Sequence, residues 1–242
     1  MTLKGAAFLA LWNDFDPGRD AEYNCWHTFE HVPERVGIEG ILSGRRYVAR
    51  ERSERRYFTL YELEGLAALD GPQYADVVDR PTEWSAAMRP SFRNFLRSPC
   101  ETVLTTGLGI AGSIATFRFG VARKADASSA KVALEPLLES SGPTAVHLGR
   151  VDPTAKFPVK NAVSPGSAAG AVQYVLLVEE LDRTELAAAA PRIIDALASG
   201  LGAVQPVAWE GYDLAFVIER SGLRSPTTAR QPARPDLRER WK

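Results

Sequence analysis

"CWHTFEHVPERVGIEGILSGRRY", residues 25–47, holds His27 and His31, two of the three histidines of the chain, with acids and a proline close by. The stretch begins inside an amphipathic run, residues 20–36, whose spacing predicts a helix, and it runs on into residues 41–50, whose alternation predicts a strand. On a helical wheel Cys25, Trp26, Phe29, Val32, Pro33 and Val36 share one side with Glu22 and form the expected core stripe. Tyr23, Asn24, His27, His31 and Glu34 fall on the other side. Pro33 has no N–H and disfavours helical geometry at Val32, so the helix is expected to bend or finish near His31.

Outward from this stretch the pattern is regular. Residues 5–13 ("GAAFLALWN") read as a strand, residues 41–50 and 55–62 as a hairpin around the polar turn at 51–54, and residues 63–97 as mostly helical, broken at Pro72, Pro81 and Pro90. Residues 100–108 close a β-α-β-β-α-β order. A second such order follows: strand 113–122, helix 128–140, strands 144–151 and 171–181 joined by a Pro/Gly/Ser/Ala-rich loop, helix 183–199 and strand 206–219. This is the ferredoxin-like order of elements, twice. The fold class expected is therefore α+β, with two tandem ferredoxin-like repeats, residues 1–110 and 111–220, whose antiparallel sheets pack into an α/β barrel. Residues 221–242 carry six basic and two acidic side chains and three prolines, and are expected as a mobile tail or an arm lying on a neighbouring subunit.

Side chains of alternate parity should line the barrel. Phe8, Ala10 and Trp12 are the expected inward set of the first strand. From the third, Tyr57, Thr59 and Tyr61 are expected inward and Phe58 and Leu60 under the helices. An interior rich in aromatics with few polar groups suits a flat apolar ligand, or is simply filled.

The composition excludes several classes. Formal net charge is −1 over 242 residues, which offers no electrostatic reason to expect nucleic acid or an anionic membrane. No run approaches the length of a membrane span. The two cysteines, Cys25 and Cys100, form no CxxC pair, and a cytoplasmic protein is inferred. There is no phosphate loop, GxSxG, GxGxxG or zinc motif. The His27/His31 pair lacks the glutamate that follows the first histidine of HExxH, so metal is not expected, and a solvated helix face is the plain alternative. A histidine at a helix bend can turn toward a barrel mouth, where its pKa suits proton transfer. Glu30 or Glu34 could orient it, and Arg35, Arg45 or Arg46 could hold an anionic group. His147, between Ala145 and Gly149, either projects into the second half of the barrel or is a buried core histidine.

The pattern Trp26-x-x-x-Glu30-His31-x-Pro33-Glu34-Arg35, followed by Ile38-x-Gly40-x-x-x-Gly44-Arg45-Arg46-Tyr47, resembles the dimeric α/β-barrel superfamily, in particular its EthD-like and muconolactone-isomerase-like members. Glu39 and Ile41 stand where those members often have proline and phenylalanine. The resemblance is specific over about residues 5–62 and implies a site at the barrel mouth or interior, with His31 its first functional candidate. The family spans isomerases, cyclases, dehydratases, cofactor-free monooxygenases and haem enzymes, and fold does not choose among them. The expectation is a cofactor-independent isomerase, cyclase or lyase acting on a small apolar or aromatic substrate, working as a homodimer. His31, Glu30 and Arg35 would carry the acid–base chemistry. Trp12, Tyr57, Tyr61, Arg46 and His147 would bind substrate. The alternatives are a non-catalytic ligand-binding or stress-response barrel, and a haem protein ligated by His31 or His147.

Overall fold

The structure, a computed structural model, describes residues 3–49, 55–139, 142–154, 171–223 and 230–242. The expected polar turn at 51–54 and most of the loop before residue 171 lie outside the described residues. Eight strands close into one antiparallel barrel: β1 (Ala7–Phe15), β2 (Ile41–Val48), β3 (Tyr57–Leu63), β4 (Phe92–Gly107), β5 (Ser113–Val121), β6 (Ala145–Val151), β7 (Val172–Glu180) and β8 (Ala203–Glu219). Around the barrel they run β1-β3-β2-β8-β5-β7-β6-β4. The first four strands are thus contiguous and meet the last four at two seams, β2 with β8 and β4 with β6.

The helices lie outside the barrel. Over the first four strands they are α1 (Asp20–Trp26), α2 (Val32–Val36), α3 (Pro72–Asp79) and α4 (Glu83–Met88), and over the last four α5 (Ala127–Leu134), α6 (Pro136–Glu139) and α7 (Arg183–Leu201). Most start where the sequence supplies a cap or a proline. Asp126 caps α5 in a reciprocal box with Ser129, Asp182 accepts from Thr184 N at the start of α7, and Pro72 stands at the start of α3. Two expectations shift. The helical reading of residues 63–97 ends at Pro90, and β4 begins at Phe92, eight residues before Cys100, where the strand was expected to start. The helix at 128–140 breaks at Pro136 into α5 and α6.

Side-chain parity follows from register, because residues opposite one another in an antiparallel pair point to the same face. Trp12 faces Phe58 directly and Ala10 faces Leu60. Phe8, Ala10 and Trp12 do point into the barrel, so Phe58 and Leu60 must also, joined there by Tyr47, Ile114, Leu177 and Tyr212 in one buried cluster. The expectation that Tyr57, Thr59 and Tyr61 line the barrel is therefore reversed: they face the helices. Inside the barrel the Trp12 and Phe58 rings are 5.2 Å apart and the Trp12 indole N–H donates to Thr116 Oγ1 at 3.1 Å.

One end of the interior is charged. The Arg45 guanidinium, opposite Leu60 in the ladder, donates to Glu179 Oε1 at 2.8 Å and to Glu62 Oε1. Backbone N–H groups of Lys4 and Ala111 complete Glu62 and Glu179 at 2.6 and 3.1 Å. All three charged side chains are at most 3% exposed. Arg45 comes from the first four strands and Glu179 from the last four, so the ion cluster ties the two sets together from inside. Removing its cation strands two buried carboxylates, which typically costs about 3–5 kcal/mol. Arg45→Met should lose stability of that order in denaturant titrations. Adding Glu62→Gln and Glu179→Gln, which keep the acceptors for Lys4 and Ala111 N–H, should recover part of it. An Arg45→Met chain as stable as the original would refute the clamp.

Candidate functional site

The helix carrying the histidines is not a plain α-helix. Residues 27–31 form a π-helical turn between α1 and α2, closed by Val32 N–H donating to the carbonyl of His27, five residues back. Pro33 explains the place: it has no N–H to return to the preceding turn, so the helix widens just before it. The expected bend at His31 takes the form of an inserted residue rather than a helix end. The wider turn rotates the preceding face. Tyr23, His27 and His31 now form a ladder against the sheet, with successive ring centroids 5.0 Å apart and planes within 30°, while Phe29, expected in the core, is 54% exposed. The Trp26 ring lies 4.5 Å from His31. His27, expected on a solvated face, is buried.

The ladder walls a cavity of about 430 Å³ between the helices and the outer face of the first strands. Its floor is Leu9, Leu11 and Asn13 of β1, Thr59 and Tyr61 of β3, and Arg97 of β4. Trp26, Phe92, Phe95 and Tyr74 supply its aromatic surface, and Arg35 and Arg89 its other cations. The polar groups are unusually idle. The Nδ1 atoms of His27 and His31 and the Tyr61 hydroxyl are buried without a hydrogen-bond partner. Burial is the largest cause holding both imidazoles neutral. Nearby guanidiniums reinforce it, chiefly Arg46 for His27, and Arg35 then Arg89 for His31. Burial likewise keeps Tyr61 protonated, a phenol with its donor unspent.

Of the expected site residues, His31, Arg35 and Tyr61 come together on this cavity and the others do not. Glu30 faces the other way, accepting from Thr82 Oγ1 at 2.6 Å and from Arg234 N–H at 2.7 Å, so both its oxygens are taken and it cannot orient His31. Glu34 accepts from Arg35 at 3.0 Å and from Arg230 Nε at 2.7 Å. The residues expected as a mobile tail or subunit-wrapping arm thus lie, over 230–242, on this chain's own helix. Leu237 of α8 (Pro235–Arg238) is buried with Trp26, Trp84 and Tyr23. Arg46 is held beneath α1 by Asn24 and Thr28 and sits 5.6 Å over the Tyr23 ring, away from the cavity. The Tyr57 hydroxyl donates to Asp20 at 2.9 Å. Trp12 fills the barrel. His147 lies on the barrel side, paired at 2.7 Å with Thr105 through Nδ1, held neutral by burial with a pKa of about 3. Sequence reasoning missed His27, Arg89 and Arg97. The available signal was the stop at Pro90, after which Phe92–Arg97 had no helix to belong to.

No protein-family model and no curated protein matches the chain. Solved structures do match in fold. An anthrone oxidase-like protein superposes with a TM-score of 0.63 at 10% identity, covering 95% of this chain and 98% of its own. A candidate monooxygenase from Lactobacillus acidophilus NCFM gives 0.53 at 11%, over 89% and 97%. An arginine-to-alanine variant of the chlorite dismutase from Candidatus Nitrospira defluvii gives 0.51 at 9%, over 88% and 92%. At these identities the likeness is one of fold: a closed antiparallel barrel with helices on its outside.

These neighbours overturn one expectation. A barrel whose fold neighbours include a chlorite dismutase and a candidate monooxygenase gives no ground for cofactor independence, and that expectation is withdrawn. Among the described residues no group of three or more His, Cys, Asp or Glu is placed for a metal ion. His147, whose Nε2 is buried without a hydrogen-bond partner, is not among the residues lining this cavity. The residues that do fit a cofactor are those of the cavity: neutral imidazoles with unspent nitrogens as donors, and arginines for acidic groups.

All three histidines of the chain are held neutral in the fold, against an ordinary value near 6.5. Unfolded chains therefore take up protons that the folded chain refuses, and stability present above pH ~6.5 is lost as pH falls. Between about pH 6.5 and 5, above the carboxylate range, each histidine adds a slope of up to ~1.4 kcal/mol per pH unit. Denaturant titrations across that window should show the slope, and His27→Gln should remove its share. Imidazole NMR titrations with midpoints near 6.5 for His27 and His31 would show the burial argument wrong.

Proposed function

We propose that this chain is an enzyme that binds a small, largely apolar or aromatic substrate between helix and sheet and moves a proton on it, with His31 as general base and acid. One observation carries the reading: two neutral imidazoles whose buried Nδ1 atoms have no partner line a cavity whose other walls are mostly aromatic and aliphatic. A general base must be unprotonated at working pH and close to a desolvated substrate, and both conditions follow from the burial. His31 is preferred over His27 because His27 is stacked between Tyr23 and His31, 5.0 Å from each, whereas His31 ends the ladder and keeps more exposure. The Tyr61 hydroxyl is suited to donate to an oxygen that gains charge as the proton leaves.

Isomerisation, cyclisation and elimination all begin with such a step, and so does oxidation of an acidic carbon. The EthD-like sequence pattern around His31 and the oxidase and monooxygenase descriptions of the fold neighbours sit within that range. A cofactor ligated in the same cavity would supply redox chemistry; the proton step assigned to His31 does not pass through it.

Enolisable aromatic ketones and lactones incubated with the protein in deuterated water test the reading by NMR. Enzyme-dependent exchange at carbon is expected, and His31→Gln should slow it and any turnover by about 10²–10⁴-fold while the chain stays folded. A folded His31→Gln protein with full activity would sink the assignment. Binding without exchange across the series would point to a ligand-holding barrel instead.

A further inference from the structure

The cavity is lined by three arginines from three elements and, among the described residues, by no aspartate or glutamate. Arg35 comes from α2, Arg89 follows α4 and Arg97 lies on β4. Three guanidiniums around one cavity give it a positive potential that favours an anionic ligand. Arg97 is buried in the floor opposite Leu11. Arg89 is exposed to solvent on one side. Its Nη2 donates to neutral carbonyls only, of Val78 at 2.7 Å and Val77 at 3.4 Å. Partial burial first, then the Arg35 charge, pulls its pKa down against the opposing pull of Glu34 and Asp79. Arg35 is matched only in part. Its partner Glu34 also takes the Arg230 guanidinium at 2.6 Å, so two cations share one carboxylate. Both Arg35 and Arg89 are near enough to His31 to depress its basicity. The positive pole and the proposed base are therefore at the same end of the cavity, and the rings of Trp26, Phe92 and Phe95 form the rest of its wall.

We propose that the ligand is an aromatic or alicyclic carboxylic acid, bound as its carboxylate by Arg35 and Arg89 beside His31, with its ring among the cavity aromatics. A planar guanidinium matches a carboxylate in shape and charge and holds it in one orientation. Arg97 lies in the floor of the same cavity. The inference deepens the proton-transfer reading and rests on it for the identity of the site.

Isothermal titration with 2-naphthoate and its neutral isostere 2-naphthamide tests recognition without needing turnover. Hydrogen bonds to a charged group are stronger than neutral ones by enough that the acid should bind about 10–100-fold more tightly. Arg89→Gln should abolish most of that preference while leaving naphthamide affinity in place. Equal binding of acid and amide by the unaltered protein would overturn the proposal, whatever the stability of the variant. So would an Arg89→Gln protein that loses affinity for both ligands equally. His31→Gln should keep the preference for the acid. A chain that prefers the acid but shows no His31-dependent exchange would therefore fail the catalytic reading and keep this one.

Discussion

In a closed antiparallel barrel each strand side chain has two destinations, the interior or the layer under the helices, and register assigns them all together. Here the pairing of Trp12 with Phe58 sends one set of aromatics inside, where they form one buried cluster with Tyr47 and Tyr212. The other set, with Leu9, Leu11, Asn13, Thr59 and Tyr61, faces outward. What the barrel can offer a small molecule then depends on how tightly the helices sit on that outer face. The ion cluster of Arg45, Glu62 and Glu179 guards the same assignment, since a slip of one residue would turn a guanidinium out and a Leu60-type side chain away from its partners.

The helix over the cavity is held from both sides. Toward the sheet it presents the ladder of Tyr23, His27 and His31; away from it, Glu30 and Glu34 are fully engaged by Thr82 and by residues 230–234. A π-turn gives up regular i to i−4 bonding and persists only where its surroundings compensate. The two buried glutamates and Leu237 supply that compensation here. The acids in the histidine stretch thus work on the back of the helix, and the chemistry on its front is left to neutral imidazoles and arginines.

Much of the architecture was legible in the sequence. Alternation located all eight strands, and prolines located the helix breaks of the first half though not the one at Pro136, because both are local properties of the chain. Parity in β3 was misassigned because it is a property of a pair: only the partner strand says which alternate set is inward. The wheel failed at Phe29 and His27 for a similar reason, since it assumes 100° per residue and Pro33 imposes a different turn. His31, Arg35 and Tyr61 were within reach of pattern reading. Arg89 and Arg97 were not, because a stretch read as helix to residue 97 hid the start of β4. The roles of Glu30 and Glu34 depend on residues 200 positions away and could not be read locally.

The same arrangement of strands and helices makes one solid half and one hollow half, and the helices account for the difference. Over β8, β5 and β7 lies α7, a single helix of 19 residues, whose Leu186, Ala190, Ile193 and Leu197 join Phe117, Val146 and Leu176 in a continuous core. Small alanines let it approach closely. Over β1 and β3 the covering helices are five to eight residues long, interrupted at Pro33, Pro72, Pro81 and Pro90, and joined through 3₁₀ and π turns. Short helices at several angles cannot seal a twisted sheet, and their bulky Trp26, Tyr74 and Trp84 side chains prop them away from it. The space left beneath them is the cavity. Proline placement therefore acts twice in this chain, widening the turn that aims the histidines and keeping open the room into which they point.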